Sequence, residues 1–149
     1  MLRFQIITLS GTQFDEEVYE AMLPTPDGQI AVLSGHMPLV SLAVPGVVAV
    51  RRQARDSNAH LEYFATDGGV IEVLDGTVRI LADEAVHADD IHEETAQKAL
   101  AVAEEAYKNA KDKMSLDKAQ AMIDRQRARL NVAGVRRNRP TRGNLLKNR

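Results

Sequence analysis

The sequence predicts an all-β N-terminal sandwich of short strands, followed by a C-terminal antiparallel α-helical hairpin. Three observations carry this. Up to about residue 84, apolar and polar residues alternate in short runs such as Arg3-Phe4-Gln5-Ile6, Ile71-Glu72-Val73 and Val78-Arg79-Ile80. Period-two alternation places apolar side chains on one face of a sheet. Turn signals separate the runs roughly every 8–12 residues, as in a β-sandwich. Beyond residue 84 the period lengthens, and Ala96, Ala99, Leu100, Ala103, Ala106, Tyr107 and Ala110 fall on one helical face.

The centre of the β part is residues 27–48. Pro26-Asp27-Gly28 supplies turn chemistry, because proline presets φ, aspartate bonds its own backbone and glycine takes positive φ. Ile30, Val32 and Leu33 read as a strand. Gly35 and Pro38 bracket His36, so the backbone bends there before a second strand. Pro45-Gly46 marks the next turn, and Val47-Val48-Ala49-Val50 opens another strand. Arg55-Asp56-Ser57-Asn58 reads as a loop, Leu61 to Ala65 as a β-prone run and Asp67-Gly68-Gly69 as a corner. Leu74-Asp75-Gly76-Thr77 is the strongest local signal, since Asp-Gly between strands favours a type I′ hairpin.

In the helical part, Asp90 with Glu93 reads as a capping box for the first helix. Lys111-Asp112-Lys113-Met114 breaks the pattern, and Ser115 is the expected cap of the second. Leu116, Ala119, Ile123 and Leu130 form a single seam at spacings of three, four and seven, with Gly134 and Pro140 placed beyond the helix end. The expected division is a sandwich over residues 1–86, a helical hairpin over 87–133 and a basic, disordered tail over 134–149. An alanine-rich seam buries little area, and alanine is the best helix former. The pair therefore reads either as a two-state element, closed or opened into longer helix, or as a permanently docked hairpin.

The 149 residues contain no cysteine, which excludes disulfides, thiolate metal sites and a cysteine nucleophile. The N-terminus carries no long apolar run, so no signal peptide is expected, and no stretch approaches the ~20 apolar residues of a membrane span. The net charge of −2 hides an asymmetry. Of 19 basic residues nine lie after Asp124, where no acidic residue occurs, leaving ten against 21 acidic ones before it, a net of −11. An acidic body with a basic end expects either an acidic partner for that end or a solvated tail.

No phosphate-binding loop of the Gly-x-x-x-x-Gly-Lys-Ser/Thr type is present, and Ser34-Gly35-His36 is not a catalytic triad, because sequence neighbours do not supply its geometry. Asp83, Glu84, His87, Asp89, Asp90, His92, Glu93 and Glu94 form an acidic cluster. It reads either as divalent-metal ligands or as acids that complement a helix N-terminus. No catalytic residue and no metal site are expected.

The run Gly28, Ile30, Ala31, Val32, Gly35, His36, Pro38, Leu39, Val40, closed by Pro45-Gly46, resembles the epsilon subunits of bacterial F-type ATP synthases. A second resemblance lies at Asp67-Gly68-Gly69-Val70-Ile71-Glu72-Val73, continuing into Val78 to Asp83. The likeness in layout covers roughly residues 1 to 132. It implies a flattened sandwich of about ten short strands and a rotor subunit of the central stalk that is not itself an enzyme. Such a subunit couples proton-driven rotation to ATP synthesis and restrains ATP hydrolysis. The implied partners are the gamma subunit, the membrane ring of c subunits, contacted through Gln29, His36 and Met37, and the alpha/beta catalytic head. The head would be reached by the second helix with Arg125, Arg127 and Arg129. The implied location is peripheral, on the cytoplasmic face of the bacterial inner membrane, with the membrane reached only through partners.

Some members of that family bind ATP through an (Ile/Leu)-Asp-x-x-Arg-Ala run. Here it reads Ile91-His92-Glu93-Glu94-Thr95-Ala96. The aspartate is replaced by histidine and the arginine by threonine, which cannot fork onto phosphate, although Arg125 and Arg129 match arginines of the pattern. No cofactor is expected, and ATP binding at the helices is expected to be weak or absent. Two other readings are a ribosome- or RNA-binding protein using the basic tail and a metal-dependent enzyme using the acidic cluster. Against the first, the body is acidic and no stacking aromatic lies near the tail, so no nucleic acid is expected.

Overall fold

A computed structural model describes residues 1–138 of the chain. Ten strands form two five-stranded sheets. They are β1 (Leu2–Thr8), β2 (Gly11–Val18), β3 (Glu20–Thr25), β4 (Gly28–Leu33), β5 (Leu39–Ala43), β6 (Gly46–Arg51), β7 (Glu62–Thr66), β8 (Gly69–Leu74), β9 (Thr77–Leu81) and β10 (Ala85–His87). One sheet runs β2-β1-β9-β8-β5 and the other β10-β7-β6-β3-β4. All the pairings are antiparallel except β1 with β9, which is parallel in the register Phe4–Val78 and Ile6–Ile80.

The alternation seen in the sequence decides which side chains enter the core. Along β1, Leu2, Phe4, Ile6 and Thr8 are buried while Arg3 stays exposed. Phe4, Ile6, Leu23, Ile71 and Ile80 are among the largest fully buried side chains. Phe14 joins Phe4 and Phe64 with ring centroids 5.7 and 5.4 Å away, an aromatic chain that crosses between the sheets. The Arg52 guanidinium closes one end of the sandwich. It stands 5.5 Å over Phe14 and pairs with Glu16 on β2 and with Glu62 on β7, so one cation holds both layers.

The turns follow the sequence reading. Asp75 and Gly76 both have positive φ, +48° and +75°, the requirement of the type I′ hairpin between β8 and β9. Gly69 is needed for a different reason. Its φ is +139°, and a Cβ there would stand 1.9 Å from the Leu81 carbonyl oxygen.

The helices are α1 (Glu93–Asn109) and α2 (Lys113–Arg137), an antiparallel hairpin. Three expectations are corrected here. Asp90 does not cap α1, because Ala88–Asp90 forms a single 3₁₀ turn and His92 is the N-cap without a side-chain bond. The cause is tertiary, since Ala88 and Ile91 must be buried beside Ala65 before the helix can start. Ser115 is not the cap of α2. Asp112 is, its Oδ1 accepting from the Ser115 N–H at 2.7 Å, a bond that holds the Asp112 carboxyl below the usual carboxylate range. Gly134 lies inside α2, where the tail was expected to begin. Glycine costs about 1 kcal/mol in a helix. Around it Val132 and Ala133 are buried, Arg136 Nη1 donates to the Ala88 carbonyl at 2.6 Å and Arg137 pairs with Glu93 at 2.7 Å. Residues 139–149, including Pro140 and the rest of the expected tail, lie outside the described residues.

The second helix lies on the outer face of β6 and β7. Ala128, Val132 and Ala133 pack there with Ala65, Ala88 and Ile91, flanked by Val47, Tyr63 and Val86. Along α1, Ala96 and Ala103 are buried, whereas Ala106 and Tyr107, nearer its C-terminal end, are exposed.

Gly69→Ala is expected to destabilise the sandwich by more than about 1 kcal/mol, because backbone must move to admit the methyl group. Gly76→Asn, at a site with positive φ but open space, is expected to be nearly neutral. Thermal denaturation of the two variants checks the contrast.

Candidate functional site

The informative features among the described residues are surfaces. The outer face of sheet β2-β1-β9-β8-β5 carries an apolar row. Strand register sets Leu42 beside Val70, Val70 beside Leu81, and Leu81 beside Ile7. Leu42, Val70 and Leu81 are exposed, as are Val40 and Leu74 nearby. One step along the strands the row turns polar. Arg79 Nη1 meets Glu72 Oε1 at 2.7 Å and its Nε meets Gln5 Oε1 at 2.8 Å, and Arg3 grips Asp15 through two bonds of 2.7 and 2.9 Å. An apolar strip beside fixed polar groups is the texture of a protein-binding face.

Gln29, His36 and Met37 all lie on the edge formed by β4 and the turn into β5, and all three are exposed. The fold does not cluster them. Gln29 pairs with Pro24 near the start of β4, whereas His36 and Met37 follow its far end at Leu33. The His36 backbone N–H donates to Leu33 O at 3.2 Å, and its Nδ1 lies 2.7 Å from Met37 O, which fixes the ring against its own loop. Met37 is 72% exposed.

The three arginines of α2 part company. Arg125 Nη2 donates to Asp67 Oδ2 at 3.1 Å and Arg129 Nη2 to Glu84 Oε2 at 2.6 Å, so both are tied to the surface of the sandwich. Arg127 faces the other helix, with Glu104 4.0 Å away. Asp67 and Glu84 were not foreseen in this role, Asp67 having been read as a turn residue and Glu84 as one acid of a cluster. The available signal was the spacing of four between Arg125 and Arg129, which puts both on one helical face.

The acidic cluster disperses. Glu84 pairs with Arg125 and Arg129, Glu93 with Arg137 and Glu94 with Lys98, while His87 Nε2 lies 3.2 Å from Glu62 and its Nδ1 accepts from the Asp89 N–H. Among the described residues no group of three or more such side chains converges to hold a metal ion. The cleft lined by Asp90, Ile91, His92, Thr95 and Arg129 measures about 90 Å³. Small-molecule sites usually need roughly 300 Å³ or more, and Arg129 is already bonded to Glu84.

A two-layer β-sandwich with a helical hairpin docked on one face, and a second face left apolar, defines a protein-binding subunit. Its relatives give the particular kind. The model of the ATP synthase delta/epsilon chain β-sandwich domain matches residues 1–88, and that of the long α-helix domain of the same chain matches residues 89–134. The ATP synthase epsilon chain of Herpetosiphon aurantiacus is 33% identical over 138 residues, covering 93% of this chain and 98% of the relative. That of Bordetella avium is 34% identical over 142 residues, covering 95% and 96%. The chain belongs to the ATP synthase delta/epsilon chain family, and its function is that of the epsilon subunit. The fold recurs in the mitochondrial ATP synthase of Euglena gracilis, with a TM-score of 0.71 at 23% identity over 87% of this chain and 79% of that one. In the central stalk and ring of the Tetrahymena thermophila enzyme the TM-score is 0.60 at 14% identity, over 87% and 93%. These relatives favour the rotor reading over the nucleic-acid one. Among the described residues no helix is long and apolar enough to cross a membrane.

Glu84→Ala removes one carboxylate from two arginines. Partly exposed pairs contribute roughly 0.2–1 kcal/mol each, so amide exchange in α2 is expected to quicken a few-fold while the sandwich strands stay unchanged. Glu94→Ala, which removes only an exposed pair with Lys98, is expected to be silent in the same measurement.

Proposed function

We propose that this chain is a non-catalytic rotor element whose open sandwich face grips the gamma subunit. The observation that carries this is the division of the two outer faces. Helix α2 covers β6 and β7, whereas Leu42, Val70, Leu81 and Ile7 run uncovered across the other sheet. Burying such a row removes apolar area from water at about 25 cal/mol per Å², and the fixed pairs around Arg79 and Arg3 define the register of the partner. The edge bearing Gln29, His36 and Met37 is assigned to the c-subunit ring, with Met37 as its apolar contact. The location that follows is peripheral, on the cytoplasmic face of the bacterial inner membrane. Torque passes because both layers are packed and clamped, not because the subunit does chemistry.

Val70→Asp sets a charge in the middle of the apolar row. It is expected to weaken binding to the gamma subunit by roughly 1–3 kcal/mol for an unpaired buried carboxylate, about 5- to 150-fold, with little change in the fold because Val70 is exposed in the free chain. Unaltered affinity in co-purification and calorimetry overturns the assignment of this face.

The helical hairpin serves as a brake on hydrolysis. In the docked state Arg125 and Arg129 are held by Asp67 and Glu84, so undocking exposes both cations to acidic segments of the alpha/beta head. Several such pairs must act together, since each is weak. Truncation after residue 88 is expected to preserve assembly and coupling while raising ATPase activity. Unchanged hydrolysis in the truncated complex overturns the brake.

A further inference from the structure

Along α2, Leu116, Ala119, Ile123 and Leu130 leave a gap of seven before the last. The structure fills that gap with Gln126, giving Leu116, Ala119, Ile123, Gln126, Leu130 and Ala133 at alternating steps of three and four. That spacing is the repeat of a helix–helix seam. Gln126 is buried, only 9% exposed, and is the one buried polar residue of the two helices among the described residues. Its Oε1 is fully enclosed and has no hydrogen-bond partner. The covered apolar positions of α1 are Ala96, Ala99, Leu100 and Ala103, whose side chains carry no donor.

A buried carbonyl without a donor disfavours the state that buries it, and the penalty vanishes once the group meets water. The apolar burial of Leu116, Ile123 and Leu130 holds the seam together, so the carbonyl subtracts from a contact that is otherwise favourable. We propose that Gln126 sets the opening equilibrium of the hairpin, acting as a positioning residue that keeps the docked pair poised to separate. Asp112 caps the start of α2, and at its finish Arg137 holds Glu93 of α1 while Arg136 bonds the Ala88 carbonyl, so the defect sits within the seam and away from the anchored end. The proposal rests on the reading of the hairpin as a two-state brake, and it adds which residue tunes that equilibrium.

The test uses the full chain and two near-isosteric variants. Gln126→Met keeps the length of the side chain and removes the carbonyl. It is expected to slow amide exchange in the facing helices by on the order of tenfold. Gln126→Glu places a carboxylate in the seam. It is expected to speed exchange at neutral pH and to approach the wild-type rate as the pH falls and the group protonates. Exchange in β1 and β9 serves as the control and stays constant in both. Unchanged or faster exchange in Gln126→Met, or wild-type exchange in Gln126→Glu at neutral pH, overturns the proposal. The same variants in the assembled enzyme separate the two levels. Gln126→Met is expected to raise ATPase activity toward that of the complex truncated after residue 88. Slower exchange without that rise upholds the seam assignment and counts against the brake instead.

Discussion

The packing of α2's small residues on the outer face of β6 and β7 governs the rest of the structure. Ala128, Val132 and Ala133 let the helix approach Ala65 and Ala88 closely, and close approach is what brings Arg125 within reach of Asp67 and Arg129 within reach of Glu84. The same contact covers one sandwich face and leaves the other free for a partner. It also carries the helix through Gly134, because the buried contacts on either side outweigh the local preference of glycine. Methyl groups, however, bury little area apiece. The docking is extensive in geometry and shallow in energy, which suits an arm that must leave its berth.

Electrostatics and packing divide the work between the two parts of the molecule. In the sandwich, Arg52 is held by carboxylates from both layers and lies over Phe14, so charge and aromatic packing reinforce one another at the same spot. On the hairpin the ion pairs are more separate, and Glu84 is shared between two arginines. A cation clamped from both layers makes a stiff body, whereas a shared carboxylate on a half-exposed helix makes a releasable one. Stiffness and release thus come from the same residue types in different surroundings.

Much of the architecture was legible in the residues. Period-two runs gave β1, β8 and β9, Asp75-Gly76 gave the hairpin between β8 and β9, and the alanine spacing gave the helices. The local preferences of Asp90 and Gly134 yield to contacts made elsewhere in the chain, the burial of Ala88 and Ile91 and the anchoring of Arg136 and Arg137. Ser115 yields to a local rival, since Asp112 three residues earlier is itself a strong capping type. The apolar row across β5, β8, β9 and β1 was illegible for a related reason. Alternation shows that a strand has an inside and an outside, but only register across four strands reveals that Leu42, Val70, Leu81 and Ile7 stand in line. Asp67 and Glu84 were hidden in the same way, being far in sequence from the arginines they hold.

The parallel pairing of β1 with β9 bears on how the chain reaches its native state. Gln5 meets Arg79 across a separation of 74 residues, and β1 has no second neighbour until β9 exists. During synthesis the first strand must therefore wait, paired only with β2, until residue 81 has left the ribosome. Long-range pairing of this kind slows folding and prolongs the exposure of unsatisfied strand edges. The aromatic core around Phe4 and Phe14 is laid down early in translation and sealed late, so nascent-chain protection is a need written into the topology.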